Sequence, residues 1–195
     1  TRTCVFERGS VPDNPENVTA SALDGADVLH LDGNYLSSAI HAAKYARRKG
    51  VKVSLDAGGL YAGIEELLPL VDILIPSAEF AMGITGAPTP NDAIIALYGK
   101  YSPSVLVVTD GANGGYYIEN GEARHYDSFR IKPIDTNGAG DTFHGAFISE
   151  YLTGKSVAEC CRFASAVSAY KCMHKGVRDF ELNRDIIREF ITKNS

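Results

Sequence analysis

Four short apolar runs, at residues 27–31, 51–55, 72–75 and 105–109, alternate with stretches of helical spacing, and this alternation constrains the fold more than any other feature. Each run is strand-sized and rich in Val, Ile and Leu. Between the first two, Leu36, Ile40, Ala43 and Ala46 fall on one helical face. That helix, expected over 36–48, finishes in Arg47-Arg48-Lys49-Gly50, basic residues before a glycine being a common helix end. Shorter helices are expected at 64–70, 79–84 and 92–98. Strand alternating with helix argues for a parallel sheet with helices on both faces.

Punctuation then changes. Gly111 and Gly114-Gly115 lead into a strand at 116–119, and Asn120-Gly121 is a strong hairpin signal pairing it with 123–126. An antiparallel edge is therefore expected on the parallel sheet. Three helices close the chain, at about 141–153, 156–173 and 183–193. At the other end, 2–8 alternates with Cys4 and Phe6 on the apolar side of a strand, and 9–25 is a polar, Pro-rich loop with room for one helical turn. With no internal repeat, residues 1–195 read as a single α/β domain.

Composition excludes several function classes. A net charge of −5 gives no electrostatic reason to bind nucleic acid or an anionic membrane, and the longest apolar runs are too short to cross a bilayer. The four cysteines have no metal-ligand spacing, so buried, reduced thiols and a cytoplasmic setting are expected. No pair of the five histidines is spaced for a metal site on a helix.

The chemistry concentrates in 135–148, Asp-Thr-Asn-Gly-Ala-Gly-Asp-Thr-Phe-His-Gly-Ala-Phe-Ile. Gly138, Ala139 and Gly140 stand at the start of a helix, where small residues let backbone N–H groups point into one concavity. The helix dipole favours an anion there, and phosphate is the usual one. Asp141 would repel a phosphate unless it has a chemical task, and taking a proton from an attacking hydroxyl is that task. The pattern reads as phosphoryl transfer.

Other loops leave alternatives open. Thr109, Gly111 and Gly114 follow the most apolar run, and either let a nucleotide approach the backbone or form a glycine turn into the hairpin. Asp56 either caps the turn after its strand or touches a ligand. Glu79 either holds Mg2+ through water or complements a helix N-terminus by charge. Phe143, Phe147 and Tyr116-Tyr117 read as packing residues.

Residues 135–141, followed by Thr142, Phe143, Gly145 and Ala146, closely resemble the second signature of the PfkB (ribokinase-like) carbohydrate kinases. The resemblance continues through Val53-Ser-Leu-Asp56, Asp72-Ile-Leu-Ile-Pro76 and Val107-Val-Thr-Asp-Gly111 with Gly114. It implies a ribokinase-like three-layer α/β/α sandwich and ATP-dependent phosphorylation of a sugar hydroxyl. By the resemblance Asp141 is the base, and the amides of Gly138, Ala139 and Gly140 form the anion hole. Thr109, Gly111 and Gly114 would line the ATP site, and the helix region from Ala164 to Gly176 would border the adenine. Asp135 would hold a monovalent cation such as K+, and Glu79 would serve Mg2+.

Three departures qualify what the resemblance implies. The family's Asn-x-x-Glu motif appears as Ser77-Ala78-Glu79-Phe80, and Asp-Pro-Asn-x-Arg as Asp56-Ala57-Gly58-Gly59-Leu60. Phe143-His144-Gly145 and Lys171-Cys172 with Gly176-x-Arg178 resemble the ketohexokinase and sulfofructose kinase branch. Family members are about half as long again, and their N-terminal Gly-Gly signature, sugar-binding strands and β-sheet lid are absent from these residues. The expectation is the C-terminal two-thirds of a kinase, with Arg8 a remnant of the substrate side. A catalytically inactive nucleotide-binding fragment and a ribokinase-fold kinase for a nucleoside or vitamin are the alternatives; a homodimer stays open.

Overall fold

The computed structural model describes residues 9–194. The strand expected at 2–8, with Cys4 and Arg8, lies outside them. Six strands form one sheet in the order β1-β2-β3-β4-β5-β6: Val28–Leu31, Lys52–Ala57, Ile73–Pro76, Val105–Thr109, Gly115–Glu119 and Glu122–Tyr126. The first four are parallel, and β4-β5 and β5-β6 are antiparallel. Helices α1 (Leu36–Lys49), α2 (Ala78–Thr85) and α3 (Pro90–Tyr101) lie between parallel strands, and α4 (Ala139–Tyr151), α5 (Val157–Cys172) and α6 (Arg184–Lys193) follow the hairpin.

Strand order explains the layering. Parallel strands that advance in one direction through right-handed crossovers keep all their connections on one face. On that face, buried Val53, Leu55, Leu74, Leu106 and Val108 pack with Ala39, Ala43 and Ala46 of α1, Phe80 and Ala81 of α2, and Ala93, Ile94 and Leu97 of α3. Successive strand side chains point to opposite faces, so Ile73, Ile75, Val105 and Val107 pack instead against Phe143 and Phe147 of α4 and Cys160, Cys161 and Ala164 of α5. The three layers are thus crossover helices, sheet and C-terminal helices. The expected parallel sheet with helices on both faces and an antiparallel edge is what forms, and strand order never reverses among the described residues.

Local chemistry accounts for the other differences. The helix expected at 64–70 is two 3-10 turns, Ile64–Glu66 and Leu68–Leu70, because Pro69 has no N–H to continue an α-helix. The polar loop holds two such turns, Pro15–Asn17 and Ala20–Leu23, rather than one. From that loop Asp13 caps α1 from outside the helix, accepting from the amides of Ser37 at 2.7 Å and Ser38 at 2.9 Å. The cysteines Cys160, Cys161 and Cys172 are free and buried, and burial pushes the Cys160 thiol up to about 12. No helix among the described residues is long and apolar enough to cross a membrane.

Two turns fix the antiparallel edge. Asn120 and Gly121 adopt φ of 53° and 81° between the paired Glu119 and Glu122, the geometry of a two-residue type I′ hairpin. Gly114 has φ of 81°, and a Cβ there would lie 1.9 Å from the Tyr126 carbonyl oxygen. Only glycine lets the β4–β5 turn pass so close to β6. Gly114→Ala is expected to lower stability by at least about 2 kcal/mol, read as a lower urea midpoint at unchanged slope.

Candidate active site

The segment 134–139 is held by the C-terminal half of α5. The Cys172 carbonyl accepts from the amides of Ile134 at 2.7 Å and Asp135 at 3.2 Å. Ser168 Oγ donates to the Ala139 carbonyl at 3.0 Å, and Lys171 Nζ to the Asp135 carbonyl at 2.8 Å. The Asp135 carboxylate folds the loop onto itself, accepting from Asn137 N through Oδ1 and from Gly176 N through Oδ2, each at 2.9 Å. Those amides, Asn137's first, hold its pKa below the usual carboxylate value.

From this anchor the chain turns into α4. Gly138 is the N-cap with φ of 74°, and a Cβ on it would meet Val177 Cγ1 at 2.5 Å. Among the described residues the amides of Gly138, Gly140 and Asp141 have no hydrogen-bond partner, whereas the Ala139 amide donates to the Thr136 carbonyl at 3.2 Å. Of the three amides expected to form an anion hole, those of Gly138, Ala139 and Gly140, the middle one is engaged within the turn. Ala139 closes the turn, and the free amide of Asp141 joins the other two. These are first-turn donors with no helical acceptor, at the positive end of the dipole. Asp141 itself is exposed, and its side chain has no hydrogen bond or ion pair among the described residues.

Two histidines link the loop to the sheet. His144 is buried, with Nδ1 2.7 Å from the Gly140 carbonyl and Nε2 2.9 Å from the Ile75 carbonyl of β3. Carbonyl oxygens only accept, so a ring N–H of His144 is the donor between helix start and strand end. Asp56 Oδ2 lies 3.5 Å from Nδ1. Among the described residues Asp56 makes no hydrogen bond that caps the turn after its strand; it stands beside the histidine that pins α4 to β3. The His30 ring lies 5.6 Å from that of His144, with Nδ1 3.1 Å from Ser54 Oγ. Desolvation lowers the His30 pKa, His144 lowers it further, and the charges of Asp56, Asp32 and Asp141 oppose the shift. The α4 start, with Asp141 beside its free amides, thus lies within electrostatic reach of His30.

A strand-end edge crowned by a helix start with free amides and an unpaired carboxylate can now be set against known proteins. Residues 4–183 match the family described as pfkB family carbohydrate kinase. The chain belongs to that family. It is 31% identical over 160 residues to ribokinase of Haemophilus influenzae (strain ATCC 51907 / DSM 11121 / KW20 / Rd), covering 80% of this chain and 52% of that protein. It is 32% identical over 127 residues to cytidine kinase of Thermococcus kodakarensis, covering 60% of this chain and 45% of that one. Arabidopsis thaliana ribokinase, solved with ribose and ATP, superposes with a TM-score of 0.78 at 30% identity, over 88% of this chain and 58% of that structure. This chain spans about half the length of the relatives it matches.

Within this pfkB chain the expected site residues divide. Asp141, Gly138 and Gly140 meet at the start of α4. Thr109 ends β4, its Oγ1 3.5 Å from the Pro76 carbonyl, and Gly111 and Gly114 form the turn beyond it. Glu79 is exposed in the first turn of α2, next to the end of β3. Gly176 is joined to Asp135 by its amide. Ala164 is a correction: it is fully buried against the sheet and has no surface to offer a nucleotide. Lys171, Ser168 and His144 hold the loop through partners that lie far off in sequence, and no local pattern marks those roles.

Two outcomes are expected. His144→Phe leaves the buried Ile75 carbonyl without its histidine partner and lowers stability by about 1–3 kcal/mol, measured by urea unfolding. For His30 the unfolded chain takes up a proton near pH 6.5 while the folded chain resists it until lower pH. The unfolded state therefore binds more protons in that interval, and stability falls as pH drops below about 6.5. His30→Asn makes the decline shallower in melting curves between about pH 7 and 5.

Proposed function

We propose that this chain carries the phosphate-handling half of a kinase that moves the γ-phosphoryl group of ATP onto a hydroxyl of a sugar. The observation that carries the reading is the meeting of free backbone donors with a free carboxylate. The amides of Gly138, Gly140 and Asp141 and the unpaired side chain of Asp141 stand on one helix start. Phosphoryl transfer asks a protein for positioning and charge neutralisation more than for covalent chemistry. The three amides take the charge on the transferring group, and the Asp141 carboxylate takes the proton from the attacking oxygen. The turn through Gly111 and Gly114 bounds the nucleotide on the β4 side, and the Gly176 region bounds it beyond α5.

Magnesium fits this arrangement in a limited way. Among the described residues no three His, Cys, Asp or Glu side chains gather as a metal centre. Mg2+ is commonly held by phosphate and water with one or two carboxylates, and the exposed, unpaired Glu79 suits that role. Glu79 would hold the ion through water, and the ion would supply charge neutralisation to the phosphates.

A nucleoside is the second acceptor reading, favoured by the similarity to the Thermococcus kodakarensis cytidine kinase. A panel of ribose, fructose, other hexoses and nucleosides, with ADP release as the signal, decides between them. In whichever pairing turns over, Asp141→Asn is expected to reduce kcat by about 10²–10⁴ while ATP affinity changes little. Parent-level turnover by that variant removes Asp141 from the role of base. Absence of turnover with tight ATP binding would favour a nucleotide-binding fragment.

A further inference from the structure

The resemblance places a monovalent cation at Asp135, and the residues there do not fit one. A metal cation would need the oxygens of Asp135, and all three have partners. Oδ1 accepts from Asn137 N, Oδ2 from Gly176 N, and the carbonyl oxygen from Lys171 Nζ. The lysine is not a surface residue reaching over: its side chain is 0% exposed, with Nζ 2.8 Å from the carbonyl and 3.8 Å from Oδ1. Two unit positive charges this close repel strongly at the effective dielectric of a protein surface, so a second cation is strongly disfavoured beside Nζ.

We propose that the Lys171 ammonium takes the place of the monovalent cation, so that the loop leading to the α4 amides assembles without K+ or Na+. An ammonium carries the same single charge and donates hydrogen bonds to the oxygens that a metal ion would bind. Its tether to α5 keeps it in place at every salt concentration. Lys171 and Ser168 lie one turn apart on the same face of α5, and the carbonyls they hold, those of Asp135 and Ala139, bracket the turn containing Gly138. Lys171 is a positioning residue: it acts through the loop and does not touch the reacting atoms.

The structural half of the proposal stands without the kinase reading; the effect on nucleotide binding rests on it. Melting temperature and the ATP dissociation constant with Mg2+ are measured in KCl, NaCl and tetramethylammonium chloride at one ionic strength, for the parent chain and for Lys171→Ala, which leaves room for an ion. For the parent, the three salts are expected to give the same melting curve and dissociation constants within about twofold. Lys171→Ala is expected to melt lower and bind ATP at least about tenfold more weakly in tetramethylammonium, and to recover saturably as K+ is added. A parent that tightens about fivefold or more in K+ overturns the proposal, as does a folded variant that matches the parent or stays impaired in every salt. If the variant does not fold, the parent's salt series decides alone. A parent that binds no ATP in any salt counts against the kinase reading, while the melting temperatures still test the lysine.

Discussion

The position of the Asp135 main chain governs the start of α4, where the proposed phosphate site lies. Its amide and carbonyl are tied to α5, its carboxylate to Asn137 and Gly176, and three residues later Gly138 opens α4. The free amides point where they do because this short piece of chain has no slack. A charged acceptor holding two backbone donors makes stronger contacts than a neutral one and favours one loop conformation. The buried lysine beneath it extends the same logic: an ammonium removed from water is stable only against acceptors, so it selects the conformation that presents them.

The sheet contributes from the opposite side. Three crossovers on one face leave the other free for α4 and α5, and Phe143 and Phe147 lay α4 across β3 and β4. Packing of this kind sets distance but leaves sliding along the helix axis weakly opposed. His144 removes that freedom by joining the Gly140 carbonyl in the first turn to the Ile75 carbonyl at the end of β3. The register between helix start and strand end is thereby fixed by hydrogen bonds, and Asp141 is held above the end of the sheet.

Much of this was legible in the sequence because it is local. Apolar runs of strand length, Gly50 after a basic helix end, Asn120-Gly121 and the small residues of 138–140 each act within a few positions. Pro69 was equally visible and should have divided the 64–70 segment. What could not be read is long-range. Lys171 and His144 carry no local mark of burial, and their roles follow from partners 36 and 69 residues away. Ala164 shows the converse, since a small residue near a proposed nucleotide site can as easily be packing. The contact of the Ala139 amide with the Thr136 carbonyl likewise leaves no trace in composition.

The free donors at the start of α4 belong to the main chain, and this makes the site unevenly open to change. Side-chain replacement leaves an amide in place, so drift in sequence can erase the phosphate cradle only by distorting the backbone, and Gly138 is where that is easiest. His30 and Asp32 at the neighbouring strand end are side chains in every sense and can be exchanged one at a time. Selection acting on such a chain can therefore alter side chains at the strand ends while the backbone donors proposed to handle phosphate pass unchanged from one descendant to the next.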